Sequence, residues 1–299
     1  MIRACRIGHA TFETPDLDKL MEYYTSVIGL APVLRETDRA FLATRTGQLA
    51  IELRRSEHPK CAKLSFEVAP DEDFNDMARR LSALGIKSEV RQDVAPGTPK
   101  VLAFEDPKGT IIELFNEWQP AALNHPCAGI APLKLGHVAF LVPEPRPISD
   151  FYARVLGFRV SDWIDDFFVF MRCNADHHTV NFIRGTSIGV HHFAFELKDF
   201  AHLQNACDLF GQREIPILWG PLRLGPGHNV AVYHRNPDNQ IVELYAELDQ
   251  MKDEALGYWE PRPWHRDRPQ RPKVWPRVGS ESIWGVPPAP DFPRTTRQS

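Results

Sequence analysis

Cysteine is scarce and badly spaced for cross-linking. The 299-residue chain holds five (Cys5, Cys61, Cys127, Cys173 and Cys207), and no two form a Cys-x-x-Cys pair. That points away from a disulfide scaffold or a thiolate zinc cluster and leaves reduced thiols in a cytoplasmic protein as the expectation. Long hydrophobic runs are also missing. No stretch approaches the ~20 apolar residues needed to span a bilayer, and the opening MIRACRIGHATFETPD has no leader-like apolar segment, so no membrane partner is expected. Nor is there a strong charge of either sign. A net charge of −4 does not favour nucleic acid as a partner.

What is present is enough hydrophobic residue, 43%, to bury a real core, in a chain long enough for about two domains. The sequence also says nearly the same thing twice. IGHATFETPDLDKLMEYYTSVIGL at 7–30 is echoed by LGHVAFLVPEPRPISDFYARVLGF at 135–158, with His9, Tyr24 and Gly29 matching His137, Tyr152 and Gly157 at one constant spacing. Further on, AKLSFEV (62–68) matches HHFAFEL (191–197), and DPKGTIIELF (106–115) matches NPDNQIVELY (236–245). Self-similarity held this far implies one structural unit used twice.

Each copy opens with a short strand carrying its histidine, followed by a helix. In copy one Leu17, Leu20, Tyr24 and Val27 recur at helical spacing, and Gly29 and Gly157 stand where a C-cap glycine belongs. Further strands (RAFLATRTG and QLAIELRR; FFVFMRCN and HTVNFIRG), a strand ending FEV or FEL, a second helix (DFNDMARRLSALG; FAHLQNACDLFGQ) and a last strand complete a βαβββ order. The expected division is a module over 1–117, a Pro- and Ala-rich linker over 118–132, a second module over 133–250 and a Pro/Arg/Trp-rich tail over 251–299.

The two copies differ where chemistry would sit. Copy one aligns His9, Lys63 and Glu113; copy two aligns His137, His192 and Glu243. Two imidazoles and one carboxylate on one face of an octahedron leave open positions, the pattern of non-haem Fe(II) oxygenases. A lone histidine is more often a hydrogen-bonded core residue, but three matched positions in one repeat outweigh that reading. His192 is chosen over His191 because 192, 194 and 196 share a strand face with the small Ala194, while Phe193, Phe195 and Leu197 face the other way to pack. His178, placed on a strand, can exchange protons near neutral pH. Tyr233, in the hairpin that leads to Glu243, can hydrogen-bond a metal-held oxygen, or merely pack.

With LGHV around His137, HHT around His178, HHFAFE around His192 and VYHRNPDNQIVELY with Tyr233 and Glu243, residues 5–250 resemble the type I extradiol ring-cleavage dioxygenases of the vicinal oxygen chelate superfamily. The resemblance implies an α+β protein of two tandem modules. Each is built from two βαβββ units that form a cupped, barrel-like mixed sheet, and only the second is catalytic. It further implies Fe(II), or Mn(II), held by His137, His192 and Glu243; His178 as proton donor; Tyr233 orienting the diol; and O₂ with a catechol-type diol as substrates of a homo-oligomer. Ala139 and Phe170 are candidate wall residues, with sheet packing as the plain alternative. Two positions depart from the family pattern: Leu224 stands where a histidine is usual, and Asn239 where a glycine is. His228 is the candidate that partly replaces the missing donor, so Leu224 and His228 join the substrate-binding set.

Two other functions remain open: a relative of the same superfamily using Zn or Mn as a Lewis acid for isomerisation or group transfer, and a non-catalytic aromatic-binding cup. The tail allows three readings, as a basic arm, as a Pro-stiffened solvated extension, or as Trp259, Trp264 and Trp275 packed on the second module. Packing is preferred, and its last residues are expected to be disordered.

Overall fold

A computed structural model describes residues 1–123, 128–260, 270–290 and 292. The first module runs β1 (Ala4–Thr14), α1 (Leu17–Tyr23), β2 (Ala31–Arg35), β3 (Arg39–Ala43), β4 (Leu49–Arg55), then β5 (Lys60–Val68), α2 (Phe74–Ala83), β6 (Ser88–Ala95), β7 (Thr98–Glu105) and β8 (Ile111–Phe115). The second repeats it: β9 (Lys134–Val142), α3 (Pro145–Leu156), β10 (Arg159–Ile164), β11 (Phe168–Arg172), β12 (Val180–Arg184), β13 (Gly189–Glu196), α4 (Phe200–Gln212), β14 (Ile217–Arg223), β15 (Val230–Arg235) and β16 (Ile241–Ala246). The tail adds β17 (Val274–Trp275). The fold is α+β, two tandem modules each made of two βαβββ units.

The helix boundaries follow from local chemistry. Asp16 accepts from the Lys19 N–H and Asp199 from the His202 N–H, each satisfying a first-turn donor. Pro145 occupies the first turn of α3, where its missing N–H costs nothing. Gly29 and Gly157 end their helices with φ of 83° and 71°, which side chains resist. The expected helix over 17–30 differs in one respect: after Tyr23 it widens into a π turn at Tyr24–Ile28.

The first sheet has the order β2-β3-β4-β1-β5-β8-β7-β6, and the second β14-β15-β16-β13-β9-β12-β11-β10-β17. In each, the two units meet at an antiparallel central pair, β1 with β5 and β9 with β13. Each opening strand runs parallel to the last strand of its own unit, the pairing that a helical crossover requires. One face of each sheet packs on helices, and a single apolar core runs through both modules. Phe12 meets Phe193 at 4.3 Å between ring centroids, Tyr23 Oη lies 2.6 Å from His234 Nε2, and Tyr152 donates to Asp106 at 2.8 Å. The opposite faces form the two cups.

The structure adds β2, β6, β7, β10 and β14 to the strands read from sequence, and corrects the position of His178. It lies in the loop two residues before β12, not on a strand. In the connecting segment, Leu123 packs against Phe41, Leu49 and Ala95 at the first cup; the rest of that segment includes 124–127, outside the described residues. In the tail, Trp259 is buried and Trp275 pairs with Ile164 across β17 and β10. Trp264 and the C-terminal end from 293 lie outside the described residues.

Candidate active site

His137, His192 and Glu243 come from three neighbouring strands, β9, β13 and β16. Ala194 of β13 is in register with His137 on one side and Glu243 on the other. His192 lies two residues along the same face. A methyl group at the centre lets the three long side chains converge over it. The opposite face of β13 sends Phe193 and Phe195 into the core, the division expected from strand parity. A bulge between Val190 and His192 breaks that parity at His191, which therefore also reaches the cavity. Its Nδ1 lies 2.7 Å from His192 Nδ1, which fixes the orientation of that ring.

His137 Nε2, His192 Nε2 and Glu243 Oε2 form a nearly equilateral triangle, with edges of 3.3, 3.2 and 3.3 Å. Donors on one face of an octahedron with bonds of about 2.1 Å stand about 3 Å apart. The donor set thus fits a divalent cation bound on one side. Among the described residues these three are the group able to hold a metal ion. Asn229 donates to the other oxygen, Glu243 Oε1, at 2.9 Å, leaving Oε2 for the cation. Burial lowers the pKa of His137 against the opposing pull of Glu243. Burial would raise that of Glu243, but His137 and His192 together hold it well below the carboxylate range. Neutral imidazole and ionised carboxylate are the protonation states that metal binding needs.

The triangle floors a cavity of about 660 Å³. His178 stands edge-on to His137 at 4.3 Å and to Phe170 at 5.2 Å. Burial, then the neighbouring His137 and His177, push its pKa well below 6.5. Tyr233 is in register with Glu243, and burial, together with the neighbouring Glu243 carboxylate, raises its pKa well above 10. Its ring stacks on Trp219 at 5.3 Å. Phe170 and Leu224 line the wall; Ala139 and His228 are not among the lining residues. Ala139 is fully buried in register with Asn181, and Asn181 is what reaches the cavity from that side. His228 turns away to Asp249, with Nδ1 2.5 Å from Oδ2. Phe170, on β11, meets His178 in the loop that joins β11 to β12. The tail completes the wall with Arg277, Glu281, Pro288 and Phe292, residues that carry no pattern by which they could be placed beforehand.

The first module builds the same corner without a place for metal. Ser65 stands in register between His9 and Glu113, and the Lys63 ammonium bridges Glu52 Oε2 at 2.9 Å and Glu113 Oε1 at 3.2 Å. A side-chain cation occupies the centre.

With this geometry the comparisons with known proteins agree. The family model for the Glyoxalase/Bleomycin resistance protein/Dioxygenase superfamily matches residues 6–114 and again 134–244, the two modules in turn. The chain is 23% identical over 295 residues to the manganese-dependent 2,3-dihydroxybiphenyl 1,2-dioxygenase of Geobacillus genomosp. 3, covering 90% of this chain and 93% of that protein. It is 25% identical over 264 residues to metapyrocatechase 2 of Cupriavidus necator, covering 81% of each. The Mn(II)-bound glyoxalase of Novosphingobium aromaticivorans has the same fold, with a TM-score of 0.85 and 22% identity over 99% of this chain and 96% of that one. Two family matches on two modules with one shared architecture lead to one conclusion: the chain belongs to the Glyoxalase/Bleomycin resistance protein/Dioxygenase superfamily.

Proposed function

We propose that the protein is an extradiol dioxygenase that opens a catechol-type ring with O₂, using Fe(II) or, as the first relative's name allows, Mn(II), held by His137, His192 and Glu243. One observation carries the reading: a facial triangle of two imidazoles and a carboxylate floors an aromatic-lined cavity that also contains a buried neutral histidine and a protonated phenol. A bound redox-active metal would supply Lewis acidity and an electron path between diol and O₂.

The chain's own groups do the rest. Phe170, Trp219 and Leu224 hold an aromatic ring and exclude water. His178, neutral at physiological pH, takes a proton from a diol hydroxyl and returns it to an oxygen when the ring opens. Tyr233 keeps its proton and donates a hydrogen bond to a diol oxygen. Phe170 and Leu224 are the substrate contacts we favour; Ala139 and His228 act behind the wall. Leu224, an apolar residue on the cavity wall, is the observation that favours the second reading, a metal-dependent isomerase or transferase. The proposal extends to a cytoplasmic homo-oligomer, in line with the free thiols of Cys5, Cys61, Cys173 and Cys207.

The test is anaerobic loading with Fe(II) or Mn(II), then a panel of catechols in air. Oxygen uptake coupled to the absorbance of a ring-fission product is expected. Zn-supported turnover without oxygen uptake would favour the second reading.

A further inference from the structure

His178 makes a hydrogen-bonded contact on the side away from the cavity. Its Nδ1 lies 3.0 Å from Nδ1 of His177, and His177 Nε2 lies 3.1 Å from Oδ2 of Asp162. Asp162 is itself held by the tail: the Lys273 backbone N–H donates to Oδ1 at 2.8 Å, and the Trp275 indole N–H donates to Oδ2 at 2.6 Å. Strand β17 keeps these donors in place by pairing with β10, the strand that carries Asp162. His177 is fully buried. It packs on Trp259 at 4.6 Å between centroids, and a β-carbon at Gly227 would lie 3.1 Å from its Nδ1. A ring turned over would lose both of its hydrogen-bonded contacts, to His178 and to Asp162.

The direction of each hydrogen bond then follows from donor chemistry. A peptide N–H and an indole N–H can only donate, so both Asp162 oxygens accept. His177 must carry its proton on Nε2 to complete the third bond. With His177 as a neutral imidazole, Nδ1 is an acceptor and the nitrogen facing it, His178 Nδ1, carries a proton; a doubly protonated His177 would reverse that bond. The remaining nitrogen, His178 Nε2, is a bare lone pair.

We infer that Asp162 and His177 are positioning residues that lock His178 in its Nδ1–H tautomer and present an unprotonated Nε2 to the substrate cavity. The inference rests on the reading of His178 as the group that moves the diol's proton, and it names the nitrogen, Nε2, that takes it. It also gives the tail a task, since Lys273, just before β17, and Trp275, within it, supply both donors that orient Asp162.

The test reads the tautomer without metal. In metal-free protein labelled with ¹⁵N-histidine, long-range ¹H–¹⁵N spectra separate the two neutral imidazole forms, and loss of cross-peaks in His178→Gln and His177→Asn identifies the two rings. Native protein should show His178 protonated on Nδ1 and His177 on Nε2. His177→Asn, whose side-chain oxygen takes the place of Nδ1, should keep the His178 tautomer. His177→Phe offers no acceptor and should move His178 to the Nε2–H form. In the metal-loaded enzyme, His177→Phe should lower kcat about tenfold or more with little change in KM, and His177→Asn should retain most of the native kcat. A native His178 protonated on Nε2, or one still protonated on Nδ1 in His177→Phe, would overturn the inference. Should His177→Phe not fold, the native and His177→Asn spectra decide alone. Predicted tautomers in a protein that cleaves no catechol would uphold the positioning role while removing the dioxygenase reading.

Discussion

Asn229 and Glu243 divide a carboxylate between two tasks. The Asn229 amide holds Oε1 at 2.9 Å, and Oε2 is left facing both imidazoles. Removing the amide frees the carboxylate to rotate and leaves Oε1 buried without its donor. Asn229→Ala should therefore weaken Fe(II) or Mn(II) binding about 10- to 100-fold. Metal titration of the purified variant checks this, and native affinity would show that Glu243 is oriented by its strand alone.

The two modules solve one electrostatic problem differently. In the second, buried Glu243 faces imidazoles that can share a metal; in the first, Glu113 and Glu52 face the Lys63 ammonium. Lys63→Met should remove the ammonium that both carboxylates share, leaving Glu52 the half-exposed Arg54 at 3.0 Å and Glu113 the Ser65 hydroxyl at 2.8 Å, and cost up to about 3–5 kcal/mol of stability. Denaturant unfolding measures it, and a loss below about 1 kcal/mol would mean that solvent reaches the cluster.

His178 contributes chemistry without holding metal. His178→Ala should bind metal like the native protein but lose kcat by about 10²- to 10⁴-fold, read by steady-state kinetics beside metal analysis. Undiminished turnover would remove its acid–base role.

Burial lowers the pKa of His9, His137, His178 and His234, the last to about 3. Unfolding lets each take a proton near its ordinary pKa of about 6.5. Below that pH the unfolded chain binds more protons than the folded one, so stability is fully present above it and falls as pH falls. Between pH 7.5 and 5.5, His234 alone should cost about 1 kcal/mol. Glu243, held low, adds to the loss only below about pH 4.5. Metal-free protein should have a lower denaturant midpoint at pH 5.5 than at pH 7.5; an equal or higher midpoint contradicts the buried neutral histidines.

Leu224 places an apolar side chain on the cavity wall. Leu224→His should add a hydrogen-bond donor there and shift kcat or the ranking of catechol substrates several-fold. No change in either would show that this position does not touch the reacting groups.

The repeat made most of this site readable. Matching His9 to His137 and Glu113 to Glu243 fixed equivalent places in one fold, and strand parity picked His192 because Ala194 and the phenylalanines alternate across β13. Parity fails at the bulge beside His191, so that side chain went unplaced. Strands β2, β6 and β10 were missed for a different reason. Before the tail docks on β10, each is the outermost strand of its module's repeat, rich in polar or Pro residues and without the apolar alternation that marks a half-buried strand. Asp162 and His177 carried no local signal at all, since fifteen residues and a strand turn separate them and their roles depend on where the tail settles.

The most direct test of the account is metal stoichiometry. Protein loaded anaerobically with Fe(II) or Mn(II) and freed of excess should retain about one ion per chain, and His137→Ala, His192→Ala and Glu243→Ala should each retain almost none while Lys63→Met in the first module retains the native amount. Full metal content in any of the three ligand variants, or none in the native protein, would contradict the convergence of these side chains on one cation.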